Sequence, residues 1–293
     1  YLILLCVKNT MKLKTSKLNM IFSSVIGTAV ACVLPLLGLS NFIVVPIKLF
    51  LGLLMVFVVS SYVSFKEYMF AFSGLTQLAI ADNVVIEYGA FAECDKLYKL
   101  VITDSVKNIG TQAFYSCDNL TNVDISSQVD SIGNFAFNYC SSLTSVTIGN
   151  RVTNIGGSAF SGCSSLTSIE IPDSVTSIGN QAFYKCSSLI NITIPDSVTS
   201  IGEFAFDNCS SLESVTIGNG VTNIGAYAFY ECSSLESIII PESVTSIGYG
   251  AFYGCSSLTD VYYTGSKSQW KNISIEEINR CLTNATIHYN YKG

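Results

Sequence analysis

The sequence is short of charge. Its 15 Lys and Arg and 21 Asp and Glu make up 12% of 293 residues, about half the fraction usual for a globular chain. It has a single histidine, His288. Each shortage removes a class of function. Beyond four lysines near the N-terminus there is no basic patch, so a surface that tracks phosphates has nothing to be built from, and nucleic acid is excluded as a partner. One imidazole and no Cys-x-x-Cys pair leave no ligand cluster for a metal. There is no nucleophile elbow, P-loop, His-Glu-x-x-His or dinucleotide fingerprint, hence no motif for catalysis or for a cofactor. What the chain has in excess is apolar, at 49% hydrophobic, which marks a chain partly embedded in a membrane or sparing with charge. It begins with Tyr1 rather than Met, as expected of a fragment whose start lies upstream.

From residue 75 the sequence repeats itself. Ala-Phe pairs recur every 23 residues without insertion, with Phe91, Phe114, Phe137, Phe160, Phe183, Phe206, Phe229 and Phe252 in step. Three residues after each comes a cysteine, at Cys94, Cys117, Cys140, Cys163, Cys186, Cys209, Cys232 and Cys255, and three further on a leucine. The unit is clearest in "SVTSIGNQAFYKCSSLINITIPD", 174–196. A fixed period of this length with a Leu-x-x-[LVI]-x-[VI] core is the signature of a solenoid. Ile192 and Ile194 alternate with polar residues, the period of a half-buried strand, and Val198 and Ile201 form a second apolar pair ended by Gly202. Pro195-Asp196 and Gly218-Asn219-Gly220 supply turns between segments. Ala-Phe-x-x-Cys, apolar at i, i+1 and i+4, predicts one helical turn. Each unit thus reads as two short strands and a helical turn. A lone unit cannot offset its own conformational entropy; stacking, which gives each Phe and Leu a copy above and below, makes folding favourable.

The cysteines fit this scheme as packing residues. A disulfide ladder needs facing Cβ atoms about 3.5–4.5 Å apart, whereas parallel side chains on stacked coils stand about 4.8 Å apart. A catalytic thiol needs a base and an activating charge, and one repeated eight times has no singular site. The core ladder therefore comprises the phenylalanines and cysteines from Phe114 to Cys232. Cys281, outside the register, is expected as a buried residue of the end cap.

On these units, residues 75–293 resemble BspA-like leucine-rich repeat proteins, and "VYYTGSKSQWKNISIEEINRCLTNATIHYNYKG", 261–293, resembles the segment that closes such arrays. The resemblance implies a leucine-rich repeat solenoid of about eight units over 75–260, β-rich with short helical turns, and a cap over 261–293. Trp270, Ile273, Ile275, Ile278 and Leu282 are expected on the apolar side of that cap. The resemblance also implies a non-enzymatic binding module of the adhesion type, acting at surfaces.

A partner, protein or other macromolecule, would meet the row between the inward-facing strand residues. That row reads Val101, Asp124, Thr147, Glu170, Thr193, Thr216, Ile239 and Tyr262. With Tyr263, its C-terminal end is expected to be the more aromatic, unless the cap covers it. The Asn-x-Ser/Thr triplets at Asn119, Asn191, Asn208, Asn272 and Asn284 are what a Ser- and Asn-rich repeat yields by chance.

Residues 1–72 differ in kind. From Leu18 to Phe65 the only charge is Lys48, and that length predicts a hairpin of two membrane-spanning helices, 19–40 and 42–65. Lysines 8, 12, 14 and 17 put their loop on the cytoplasmic side. Two spans would return the repeats to the cytoplasm, whereas a single span would place them outside, where the resemblance to surface proteins points. Residues 13–72, with "IGTAVACVLPLL", "PIKLFLGLLMVF" and "SFKEY", resemble the membrane half of the sporulation sigma-E factor-processing peptidase. No residue matches that family's catalytic motif, so the likeness implies topology and leaves a truncated or chimeric peptidase relative as an alternative. A plain structural spacer is another.

Overall fold

The computed structural model describes residues 55–57, 77–80 and 86–292. The described residues wind as a succession of coils whose sides are a long strand, a short strand and a tight turn segment. On the first side the strands Met55–Phe57, Gln77–Ile80, Lys99–Ile102, Asn122–Ile125 and Ser145–Thr147 make one parallel five-stranded sheet. Asn191–Ile194, Ser214–Ile217, Ser237–Ile240, Asp260–Tyr263 and Thr286–His288 make a second. The two-residue strands from Asn108–Ile109 to Ser274–Ile275 form an eight-stranded parallel sheet along the other side.

Register follows the repeat. Ile192, Val215, Ile238 and Val261 pair in sequence, as do Thr193, Thr216, Ile239 and Tyr262. Because the side-chain period of a strand is two, the first set faces the core and the second faces out. The buried set also includes every Ala-Phe pair from Ala113-Phe114 to Ala251-Phe252. The rings of Phe91 through Phe252 form one stack with neighbouring centroids 5.2–5.6 Å apart, an offset arrangement that suits the ring quadrupoles. The Ile-Gly step holds the coils close: a Cβ on Gly156 would stand 2.6 Å from the Gly133 carbonyl carbon.

The Ala-Phe-x-x-Cys segment is not the helical turn its apolar spacing predicts. Phe135 and Tyr139, two residues either side of Phe137, have φ of 56° and 60°, and the same two positions are left-handed in the coils that follow. Amides then alternate in role. Ala136, Asn138 and Cys140 close i→i−3 turns, while Phe135, Phe137 and Tyr139 donate to the carbonyls of Gly157, Ala159 and Ser161 on the next coil at 2.7–2.8 Å. A helical turn would point every N–H along its own axis and could not bond coil to coil.

The strand side is interrupted once. Residues 168–171 form no strand, so the two five-stranded sheets end on either side of them, while the short-strand sheet runs through. Ile169 and Ile171 are 8% and 6% exposed, against 3% and 0% for Ile192 and Ile194.

Among the described residues no helix is long and apolar enough to cross a membrane. The spans expected over 19–40 and 42–65 lie outside the described residues except at Met55–Phe57. Those three residues are extended rather than helical, paired with Leu78–Ile80 at the array's own 23-residue offset. Val56 and Phe57 are strand formers, and that edge offers them partners.

The C-terminal segment is a further, irregular coil. Ser274–Ile275 extends the short-strand sheet and Thr286–His288 the long one, at offsets of 28 and 26 residues from the preceding coil. A short helix, Lys267–Trp270, precedes the first of these strands and another, Arg280–Asn284, bridges the two. Ile273 and Leu282 are buried and Trp270 and Ile275 half-buried, but Ile278 is 36% exposed because its left-handed backbone (φ 57°) turns it away. Cys281 is half-buried rather than buried.

Candidate binding face

The outward row of the long strands is the first candidate. Asp124, Thr147, Glu170 and Thr193 are exposed, and Val101, Thr216, Ile239 and Tyr262 half-buried. Hydrogen bonding separates this row from the other Ser/Thr rows. Thr121 and Thr144 hydroxyls donate to the Tyr98 and Thr121 carbonyls at 2.8 and 3.0 Å. Thr153, Thr176, Thr222 and Thr245 do the same one coil back on the short-strand side. Ser131, Ser177, Ser214 and Ser246 donate to an asparagine carbonyl on the preceding coil at 2.6–2.7 Å. Those hydroxyls hold the solenoid together. Among the described residues, the side chains of Asp124, Thr147, Glu170, Thr193 and Thr216 make no such bond, so their polar atoms face solvent uncommitted.

The C-terminal end of the row is less open than its aromatic composition implies. Tyr263 is 1% exposed: it occupies the inward position opposite Ile240 and meets Trp270 edge-on at 5.1 Å. Tyr262 faces out but is flanked by the His288 ring at 4.8 Å and the Tyr291 ring at 4.8 Å. His288 Nε2 lies 2.6 Å from Asp260 Oδ1, and this contact holds the Asp260 carboxyl below the usual carboxylate range.

The cysteines sit on the core side of the turn segment, and from Cys117 to Cys255 each Sγ donates to a carbonyl. Cys163 Sγ lies 3.2 Å from the Phe137 oxygen, which also accepts the Cys140 amide, and the pattern repeats in the coils that follow, to Cys255 on the Phe229 oxygen. Burial pushes the thiols from Cys140 to Cys255 up, Cys186 to about 12. All are free. A protonated, buried thiol is neither nucleophile nor ligand, and among the described residues no group of three His, Cys, Asp or Glu is placed to hold a metal.

The match that places the chain covers most of this architecture: the family described as BspA type leucine-rich repeat region, with six copies, over residues 63–190 and 176–291. The chain belongs to the BspA-type leucine-rich repeat family. The family match begins at 63, inside the stretch 13–72 where likeness to a peptidase membrane half was expected, and it does not show that likeness. Solved structures similar to this BspA-type array include a leucine rich cell surface protein from Faecalibacterium prausnitzii, 28% identical, covering 68% of this chain and 82% of that one with a TM-score of 0.33. A leucine-rich repeat protein from Bacteroides ovatus is 28% identical over 64% of this chain and 60% of its own (TM-score 0.40). The T. pallidum leucine-rich repeat protein is 24% identical over 75% and 87% (TM-score 0.42). No protein of curated function matches the chain.

Two features had no place in the sequence reading. Asn279, 3% exposed, bonds the last regular coil. The turn edge carries a run of tyrosines, whose only sequence signal was their recurrence at the variable positions flanking Ala-Phe.

Proposed function

We propose that this BspA-type array is a non-enzymatic binding module whose strand face, centred on Thr147, Glu170, Thr193 and Thr216, engages a protein or another macromolecule at a surface. The observation that carries the reading is the uncommitted row: one polar side chain per coil, at the 23-residue spacing of the repeat, with its hydrogen-bonding capacity unspent. A repeated outward row of this kind is how repeat proteins meet large partners. The acids are strung along the coils rather than converging, which supports binding over catalysis.

The same proposal includes a membrane tether. Met55–Phe57 in the sheet leaves 19–40 as the apolar run of spanning length. One crossing would put the repeats on the far side from lysines 8–17, outside the cell, which agrees with action at a surface. An impermeant maleimide applied to intact cells carrying Thr193→Cys tests this: labelling supports the outside placement, and labelling only after lysis overturns it.

For the face itself, the full-length protein and a Thr147→Lys/Thr193→Lys/Thr216→Lys variant are compared as baits, with captured proteins identified and quantified. A partner held by the wild type and lost from a variant that melts at the same temperature supports the reading. An unchanged set of partners refutes it.

A further inference from the structure

The turn edge is a second surface, built from residues other than those of the strand row. On it, Tyr184 and Lys185 follow Phe183, and the Lys185 ammonium lies 5.1 Å from the centre of the Tyr184 ring. Asp207, which succeeds Tyr184 in the column one coil on, adds its negative charge to the Lys185 site. A tyrosine face beside a carboxylate thus already holds a cation here.

Two coils further the same positions are occupied by Tyr230 and Glu231, so an acid stands where the lysine stood. Tyr230 stacks on Tyr253 with centroids 5.2 Å apart and planes 10° from parallel, and meets Tyr227 edge-on at 5.6 Å. The Glu231 carboxylate crosses toward the next coil, its carbon 2.6 Å from where a Cβ on Gly254 would stand, beside Tyr253. Tyr253 is 45% exposed. Among the described residues no Lys, Arg or His pairs with Glu231. Ring and carboxylate recur, and the cation does not.

We propose that Tyr230, Tyr253 and Glu231 dock the lysine and arginine side chains of a basic polypeptide segment. Aromatic faces attract cations through their quadrupole, arginine most often, and the carboxylate adds a charge-assisted bond. Asp207, almost fully buried beside Tyr230, deepens the negative potential. An acidic or phosphate-bearing partner is repelled by the same groups. This surface shares no residue with the strand row, so either can fail without the other.

The test is fluorescence anisotropy of a labelled peptide of alternating Gly and Arg with the full-length protein. A Gly-Ser peptide and a neutral oligosaccharide serve as competitors. Tyr253→Ala and Glu231→Gln are each expected to weaken binding about tenfold, with unchanged circular dichroism. Asp173→Asn makes the same charge change on an exposed turn elsewhere and is expected to alter binding by less than about twofold. The proposal is overturned if Asp173→Asn costs as much as Glu231→Gln, which would signal diffuse attraction to an acidic protein. It is equally overturned if Tyr253→Ala has no effect or if a neutral competitor displaces the peptide.

Discussion

The side-chain oxygen of Asn279 accepts the amide of Phe252 at 2.9 Å. In the coil before, the equivalent amide of Phe229 donates to the Ala251 carbonyl of the following coil at 2.8 Å. Asn279 therefore supplies from a side chain what another coil would supply from its backbone. Its Nδ2 donates to the Gly248 and Glu276 carbonyls, each at 2.9 Å, and with Gly250 N–H bonded to the Glu277 carbonyl two of the three forward-pointing amides of the last turn segment are satisfied by the closing coil.

Asn279→Ala leaves the Phe252 N–H buried without an acceptor and is expected to cost about 1–3 kcal/mol. Asn279→Asp keeps the acceptor and sets a carboxylate against two carbonyls, so it loses stability as well. Because coils contact only their neighbours, the damage begins at this end. Hydrogen exchange should report faster opening at Phe252 than at Phe160; equal exchange at both would show that Asn279 does not secure the terminus.

The thiol column makes a chemical prediction. With Cys186 raised to about 12 by burial, iodoacetamide at pH 8 should leave Cys117 through Cys255 unmodified in the native protein and, among the described cysteines, reach the half-buried Cys281 first. Denaturant should expose all of them. Cys186→Ala removes the donor 3.2 Å from the Phe160 oxygen and leaves a small void, and is expected to destabilise by about 1–3 kcal/mol.

Left-handed positions give substitutions of opposite sign. Gly162 has φ 76°, and a Cβ there would lie 2.7 Å from the Tyr139 ring, so Gly162→Ala is expected to cost about 1–2 kcal/mol or more. Ser116 has φ 52° and its side chain makes no hydrogen bond. Ser116→Gly removes the left-handed penalty and adds unfolded-state entropy, for a net gain of about 0.5 kcal/mol. Urea midpoints of the two variants read both signs.

How far these features were legible depends on whether the repeat period carries them. Phe137, Cys140 and Leu143 were readable because any slip from the 23-residue register would bury a polar residue. Tyr263 was readable by the same rule, since Val261 in and Tyr262 out require Tyr263 in, although a phenol on its own suggests the surface. The turn around Phe137 was not, because apolar residues at i, i+1 and i+4 fit both a helical turn and a pair of left-handed corners, and Phe135 and Tyr139 are poor advertisements for positive φ. Asn279 was out of reach, for it acts across a coil whose offsets leave the period.

The interruption at 168–171 has a measurable consequence. The amides of Ile169, Glu170 and Ile171 make no backbone hydrogen bond, whereas those of Ile192 and Ile194 lie in the ladder. Their exchange should be at least about tenfold faster. Similar protection at both sites would mean that the strand face is continuous in solution.

Asp207 carries the pH prediction. It is 5% exposed, and burial raises its carboxyl above the ordinary range, although the Asn208 amide bond and the Lys185 charge pull the other way. A carboxyl whose folded pKa exceeds its unfolded value of about 3.9 binds its proton more tightly in the folded state. Its contribution is favourable below the unfolded pKa and is lost as pH rises through the folded one. At pH 7 the buried carboxylate therefore opposes folding. Asp207→Asn removes the charge and keeps an oxygen for Asn208 Nδ2, which lies 2.6 Å away in the wild type. The variant should be the more stable at pH 7, with its advantage shrinking through the carboxylate range and gone near pH 3, where the wild-type group is protonated in both states. Thermal midpoints at the two pH values decide it: an advantage that grows toward acid would show that the Lys185 and Asn208 contacts outweigh burial.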